Sequence, residues 1–234
     1  MLFSCAIQLI INYMPTTIRN ANLGDLSGIK NLYLDITEKY PDNLTPFTNE
    51  VTDEFIYEGL QAALERGVAE VLVDNIGDIV AYFKGFTSKN IRKAHILDNA
   101  TMIVRTDYMN SVTAYRFFSG LFRSWSEKMK YIKYVRTVPH AINDRVLRMS
   151  EAVGMRKIGT HEGAIMCKDG SFVDEVTLIW ENPDFSQVSL LRYHQYLMQK
   201  YSQSIKYSGT YIAKEAESKT TVFNESMNLD RMVV

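Results

Sequence analysis

Between Asp98 and Met155 the sequence alternates apolar, β-branched segments with segments of helical period, and this alternation restricts the chain to a mixed α/β architecture. Asn99-Ala-Thr-Met-Ile-Val104 reads as a buried strand, followed by a short polar loop (Arg105 to Thr113) and a helix from Ala114 to Lys130. A second strand (Tyr131 to Val138) and a second helix (Asn143 to Val153) complete the segment. Phe117, Phe118, Leu121, Phe122, Trp125 and Met129 fall on one stripe of the first helix, the spacing of a core-facing side. Arg116, Ser119, Arg123, Ser126 and Lys130 take the remainder.

A strand that runs straight into a helix start offers backbone N–H groups without internal partners, together with the positive end of the helix dipole. The Arg105–Thr113 loop is therefore predicted to grip the pyrophosphate of a large cofactor. The 234 residues suit one globular domain with an appendage. A formal net charge of -1 gives no global attraction to nucleic acid or to an anionic membrane. Lys128, Lys130, Lys133, Arg136, Arg145, Arg148, Arg156 and Lys157 make the second half locally basic, but spread over helix faces they are expected to solvate them, and nucleic acid is the last-ranked partner. Only Cys5 and Cys167 are present, far apart, and the four histidines form no i,i+4 pair. Neither a disulfide framework nor a metal site is expected, and the chain reads as intracellular, with the cytoplasm as its expected location.

Residues 1–13 are apolar and uncharged but too short to span a bilayer, and they lack a basic leader. Met14-Pro-Thr-Thr looks like a natural start, so 1–13 is expected to be an extension. Thr16 to Arg19 reads as a strand, and Leu26, Ile29, Leu32, Tyr33 and Ile36 mark a helix stopped by Pro41. A loop follows, then a helix from about Thr52 to Arg66 ended by Gly67. Ala69 to Asp74 and Asp78 to Phe86 flank a turn with Asn75 and Gly77, the signature of a hairpin. After Gly154, strands are expected over Gly163 to Cys167 and Phe172 to Glu181, with Pro183 as the domain boundary. Residues 184–234 read as a partly apolar helix and a polar tail, a helical and disordered appendage that either docks on its own domain or serves as an arm that binds a partner or forms a homo-oligomer.

The element order over residues 16–182 resembles the GNAT superfamily of acyl-CoA-dependent N-acyltransferases. In that family the pyrophosphate lies on a loop of pattern Gln/Arg-x-x-Gly-x-Gly/Ala, and the matching segment here is Met109-Asn110-Ser111-Val112-Thr113-Ala114, followed by Tyr115. Val112 stands where a glycine would permit positive φ, so a differently shaped loop is expected. Asn143-Asp-Arg-Val146-Leu-Arg-Met149-Ser150-Glu-Ala-Val-Gly154-Met155 is similar to the family's Asn-x-x-Ala-x-x-Leu-Tyr-x-x-x-Gly-Phe, with Ser150 at the place of a tyrosine that protonates the departing thiolate. The Lys168–Asp174 stretch resembles the family's ending.

The resemblance implies a GNAT-like, mostly antiparallel mixed sheet flanked by helices over residues 14–183, in which the central strand and the next splay to admit acyl-CoA. It implies acetyl-CoA as co-substrate and an amine-bearing small molecule or protein as acceptor. The backbone of Ile103, Val104 and Arg105 would pair with the pantetheine arm, while Met109 through Tyr115 and Asn143 would hold the rest of the cofactor. Asp98 and His140 are the candidate bases and Ser150 the candidate thiol contact; His95 is expected to be structural. The loops Pro41–Glu50 and Thr87–Lys93 would line the acceptor pocket. Two functions follow: an acyltransferase acting by direct attack of the amine, or a GNAT-fold binding or structural protein that has lost tight cofactor binding, such as a component of a viral particle or other assembly.

Overall fold

The computed structural model describes residues 16–201, and the expected 1–13 extension and the tail beyond 201 lie outside the described residues. The chain divides into a unit ending at Leu190 and a second beginning at Leu191, whose described residues are helical. In the first unit the elements run β1 (Thr17–Asn20), α1 (Leu26–Lys39), α2 (Asp53–Arg66), β2 (Gly67–Val73), β3 (Ile79–Thr87), β4 (Ile96–Val104), α3 (Val112–Lys128), β5 (Tyr134–Thr137), α4 (Asp144–Ala152), β6 (Arg156–Met166) and β7 (Phe172–Glu181).

Side-chain caps set where the helices begin. Thr52 accepts from the Phe55 amide ahead of α2, Ser111 from Ala114 ahead of α3, and Asn143 from Val146 ahead of α4. The cap at Ser111 starts α3 at Val112, two residues ahead of the expected Ala114. Gly154, at φ +86, follows the end of α4 in the left-handed region that other residues resist.

The seven strands form one sheet in the order β1-β2-β3-β4-β5-β7-β6, antiparallel throughout except for the parallel β4–β5 pair. Ile29, Leu32 and Ile36 of α1 and Ile56 and Leu60 of α2 share one apolar cluster with Val71, Tyr82 and Ile103 of the sheet. The aromatic stripe of α3 forms another with Phe83, Leu97, Val135 and Trp180. Each fully buried large side chain contributes about 1.5–3 kcal/mol, so Phe117, Leu121 and Trp125 together fix α3 on the sheet. The strand expected from Gly163 begins instead at Arg156; β6 pairs only with β7, and its largely exposed residues lack the apolar run that marks a covered strand.

One irregularity positions the site. Lys84 pairs with Thr101 and Phe86 with Asp98, so β4 carries one residue more than β3 between these pairs, and Asn99 there has φ 51. Such a bulge bends its strand and increases the local twist. Beyond it β4 leaves β5: the two pair only at Ile96–Tyr134 and Leu97–Val135. A last tie, Thr137 Oγ1 donating to the Ala100 carbonyl oxygen at 2.8 Å, closes the base of the resulting wedge.

Candidate active site

Two cavities meet along the open side of β4. The first, of about 360 Å³, is lined by Ile103 and Val104 of β4, by the Met109–Ser111 loop with Ala114 and Tyr115, and by Asn143, Arg145 and Arg148 of the α4 start. The second, of about 440 Å³, extends toward α1 and α2 and is lined by Tyr33, Glu50, Phe55, Lys84, Thr137 and His140 among others. Asn43, Leu44, Met102, Asn143 and Val146 border both, so the two form adjoining parts of one cleft. The Pro41–Glu50 loop contributes Asn43 to Pro46 to the larger cavity, as expected of an acceptor-facing loop, whereas no residue of the Thr87–Lys93 loop lines either.

Backbone direction decides what β4 offers. The Arg105 amide donates to the Val80 carbonyl oxygen of β3 at 2.8 Å. Successive residues of a strand direct their amides to opposite sides, so Ile103 also faces β3 while Val104 and Met102 face the wedge. Of the expected trio Ile103, Val104 and Arg105, only Val104 therefore presents its N–H to the cleft, and Met102 joins it. The Arg105 side chain turns to Asp107 (2.9 Å), Asp78 and Asp74.

In the 109–115 loop the left-handed conformation falls on Asn110 (φ 66), not on Val112. Val112 is instead the first helical residue and half exposed, clear of the wedge, where its branched side chain meets no conflict. Ser111 is buried and its Oγ takes the Ala114 amide at 3.0 Å, which leaves the Val112 and Thr113 amides without an acceptor among the described residues. Arg145 sits beside this helix start with Nη1 against the Met109 sulfur. Among the described residues Arg148 makes only a loose exposed pair with Asp144 at 3.9 Å. Two guanidinium groups thus accompany the helix dipole at the mouth of the smaller cavity, a feature that the sequence pattern alone did not single out.

The three candidate catalytic residues fare differently. His140 is buried and lines the larger cavity, its Nδ1 2.7 Å from the Asp42 carbonyl oxygen. A carbonyl oxygen only accepts, so Nδ1 carries a proton and Nε2 is the nitrogen left to exchange one. Asp98 lines neither cavity: both carboxylate oxygens engage Arg136, with Nε to Oδ1 at 2.8 Å, tying β4 to β5 below the wedge. Ser150 is buried and lines neither large cavity; it borders a small space of about 40 Å³ that shares Met102 and Val146 with both of them, and its Oγ has no partner among the described residues. Among the described residues no cluster of side chains is suited to a metal ion, and no helix is long and apolar enough to cross a membrane.

No protein-family model matches the chain, and comparison with curated proteins gives no match. Solved structures do match. The chain is similar to an acetyltransferase of the GNAT family from Streptococcus pneumoniae (TM-score 0.63, 14% identity, covering 71% of this chain and 99% of that one). It is also similar to a GCN5-related N-acetyltransferase from Kribbella flavida (TM-score 0.60, 16% identity, 71% and 97%). A third is a GNAT superfamily phosphinothricin acetyltransferase from Sinorhizobium meliloti in complex with AcCoA (TM-score 0.62, 11% identity, 73% and 90%). The chain has the GNAT acetyltransferase fold.

Proposed function

We propose that this chain is an N-acyltransferase that takes an acetyl or related acyl group from acyl-CoA, with acetyl-CoA as co-substrate, and passes it to an amine. The observation that carries this reading is the wedge: β4 and β5 part after Leu97–Val135, and the opening leads to a helix start with free amides. Residues 14–183 are assigned to the acyltransferase domain and 184–234 to the appendage. The bound state of the Sinorhizobium meliloti neighbour adds support for acyl-CoA as the occupant.

In this proposal the Val112 and Thr113 amides, with Arg145 and Arg148, receive the diphosphate, and the loop from Met109 to Tyr115 supplies the surrounding surface. The wedge-facing amides of Met102 and Val104 pair with the pantetheine arm and polarise the thioester carbonyl, stabilising the charge that develops on its oxygen. His140 Nε2 takes the proton of the acceptor ammonium, directly or through water, so that a neutral amine attacks. Asn143 borders both cavities and keeps the start of α4 in place. Asp98 is a structural tie in this scheme. As the adduct collapses its nitrogen gives up a proton and the departing thiolate takes one through water, because Ser150, the hydroxyl of α4, is a weak acid.

The second reading, a GNAT-fold binding or structural module, is favoured by Ser150, a buried hydroxyl and a weak acid at the place where the family carries a tyrosine. Isothermal calorimetry and thermal melting with acetyl-CoA decide whether the wedge is a cofactor site. A one-to-one heat and a raised Tm are expected. Neither heat nor shift at millimolar ligand overturns the proposal, and binding without thiol release on any amine gives the second reading precedence.

A further inference from the structure

The larger cavity is lined by a cation that the described residues leave without a counter-ion. Lys84 projects from β3 opposite Thr101 of β4 and lines the cavity with Tyr33, Phe55, Glu50 and His140. Its Nζ lies 5.7 Å from the centre of the Phe55 ring, a contact that favours the protonated form. Among the described residues none of the ion pairs includes Lys84. Glu50, the carboxylate on the same cavity, is exposed and turned back onto the Phe47 amide at 2.8 Å. Burial pushes the Lys84 pKa down, as expected of an ammonium that has lost part of its water and gained no counter-ion among the described residues.

The niche around this ammonium is built by a missing side chain. A Cβ on Gly59 of α2 would stand 2.5 Å from Nζ, so a larger residue there obliges the flexible end of Lys84 to move from its present place. Glycine inside a helix costs about 1 kcal/mol relative to alanine, and Lys84 gives that position a reason. A partly buried cation on a cavity wall gains when an anion joins it. An acceptor whose amine meets His140 presents its remaining groups to this cavity.

We propose that Lys84 selects acceptors that carry a carboxylate together with the reacting amine, an amino acid or a close relative; this rests on the acyl-transfer reading of the cleft. The ammonium donates to the carboxylate and orients the molecule, so Lys84 is a specificity residue and takes no part in proton transfer. Its position over Phe55 and against Gly59 sets it apart from a lysine poised to be acylated itself.

The test compares each common L-amino acid with its carboxamide, which keeps the amine and loses the negative charge. Binding is read by calorimetry and NMR on the full chain without acyl-CoA, so this arm stands apart from the failure of acetyl-CoA to bind. At least one acid is expected to bind roughly tenfold or more tightly than its carboxamide. Lys84→Met is expected to bring the two within about twofold, and Gly59→Ala, which shifts the ammonium and keeps its charge, to narrow the gap by less. Alanine is the better helix former, so Gly59→Ala keeps the fold while displacing the ammonium. Thiol release with acetyl-CoA should rank the acid–carboxamide pairs in the same order. Equal binding of acid and carboxamide, binding of neither, or an acetyl group located on Lys84 by mass spectrometry after incubation with acetyl-CoA each overturns the proposal.

Discussion

Asn110 adopts φ 66 immediately before the Ser111 cap, so the sharp turn into α3 is made by the non-glycine residue type that most readily tolerates that region. Val112, one step into the helix, needs no such freedom. Val112→Gly is accordingly expected to leave acetyl-CoA affinity within about twofold while lowering stability by less than about 1 kcal/mol; tighter binding by calorimetry would show that the branched side chain does obstruct the loop. Asn110→Val should instead cost about 1–2 kcal/mol in thermal or urea unfolding, because a β-branched residue resists positive φ. Ser150 supplies a second case. Its Oγ is buried without a partner, so Ser150→Ala should hold stability constant or raise it by up to about 1 kcal/mol. Turnover should be unchanged, and a clear fall in turnover would return this hydroxyl to the chemistry.

At the level of elements, α1 is joined to the β4–α3 loop through one carboxylate. Asp35 accepts from the Thr106 amide at 2.8 Å, from its hydroxyl at 3.2 Å, and from Lys39 Nζ at 2.6 Å. Burial alone would raise its pKa; the bonds from Lys39 and Thr106 outweigh that and hold the carboxyl below its usual value. The sign follows from linkage: a depressed folded pKa contributes stability present above the unfolded value, about 3.9, and lost as the pH falls through the folded one. Asp35→Asn should therefore lower Tm at pH 7, by the equivalent of about 1 kcal/mol or less given its partial exposure. The gap from the parent should narrow below about pH 4, and a gap that stays constant with pH would point to lost packing instead. The helices and the β2–β3 hairpin were legible in the sequence because each is encoded by neighbours: the stripe of α3, the caps at Thr52 and Asn143, the turn at Asn75 and Gly77. β6 was legible only in its last residues, since a largely exposed strand such as Arg156–Met166 needs no apolar alternation. His140 was legible by its place after a strand. Lys84 and Arg145 were not, because what distinguishes them lies far along the chain: Phe55 and Gly59 for the one, Met109 for the other.

For the whole molecule, the open question of assembly falls on the appendage. In the second unit Leu191, Tyr196 and Met198 are exposed, a density of apolar side chains suited to contact with another copy. Deleting 186–234 should reduce the mass measured by light scattering if this segment joins subunits, and an unaltered mass assigns it to its own chain. The cleft itself depends on neither assembly nor ligand. The extra residue at Asn99 is part of the covalent register of β4, so the gap beside β5 stands open before anything arrives. The proposed acyl-CoA would then enter without unzipping the sheet. Its association rate should rise linearly with concentration in stopped flow, without the plateau that a prior opening step imposes.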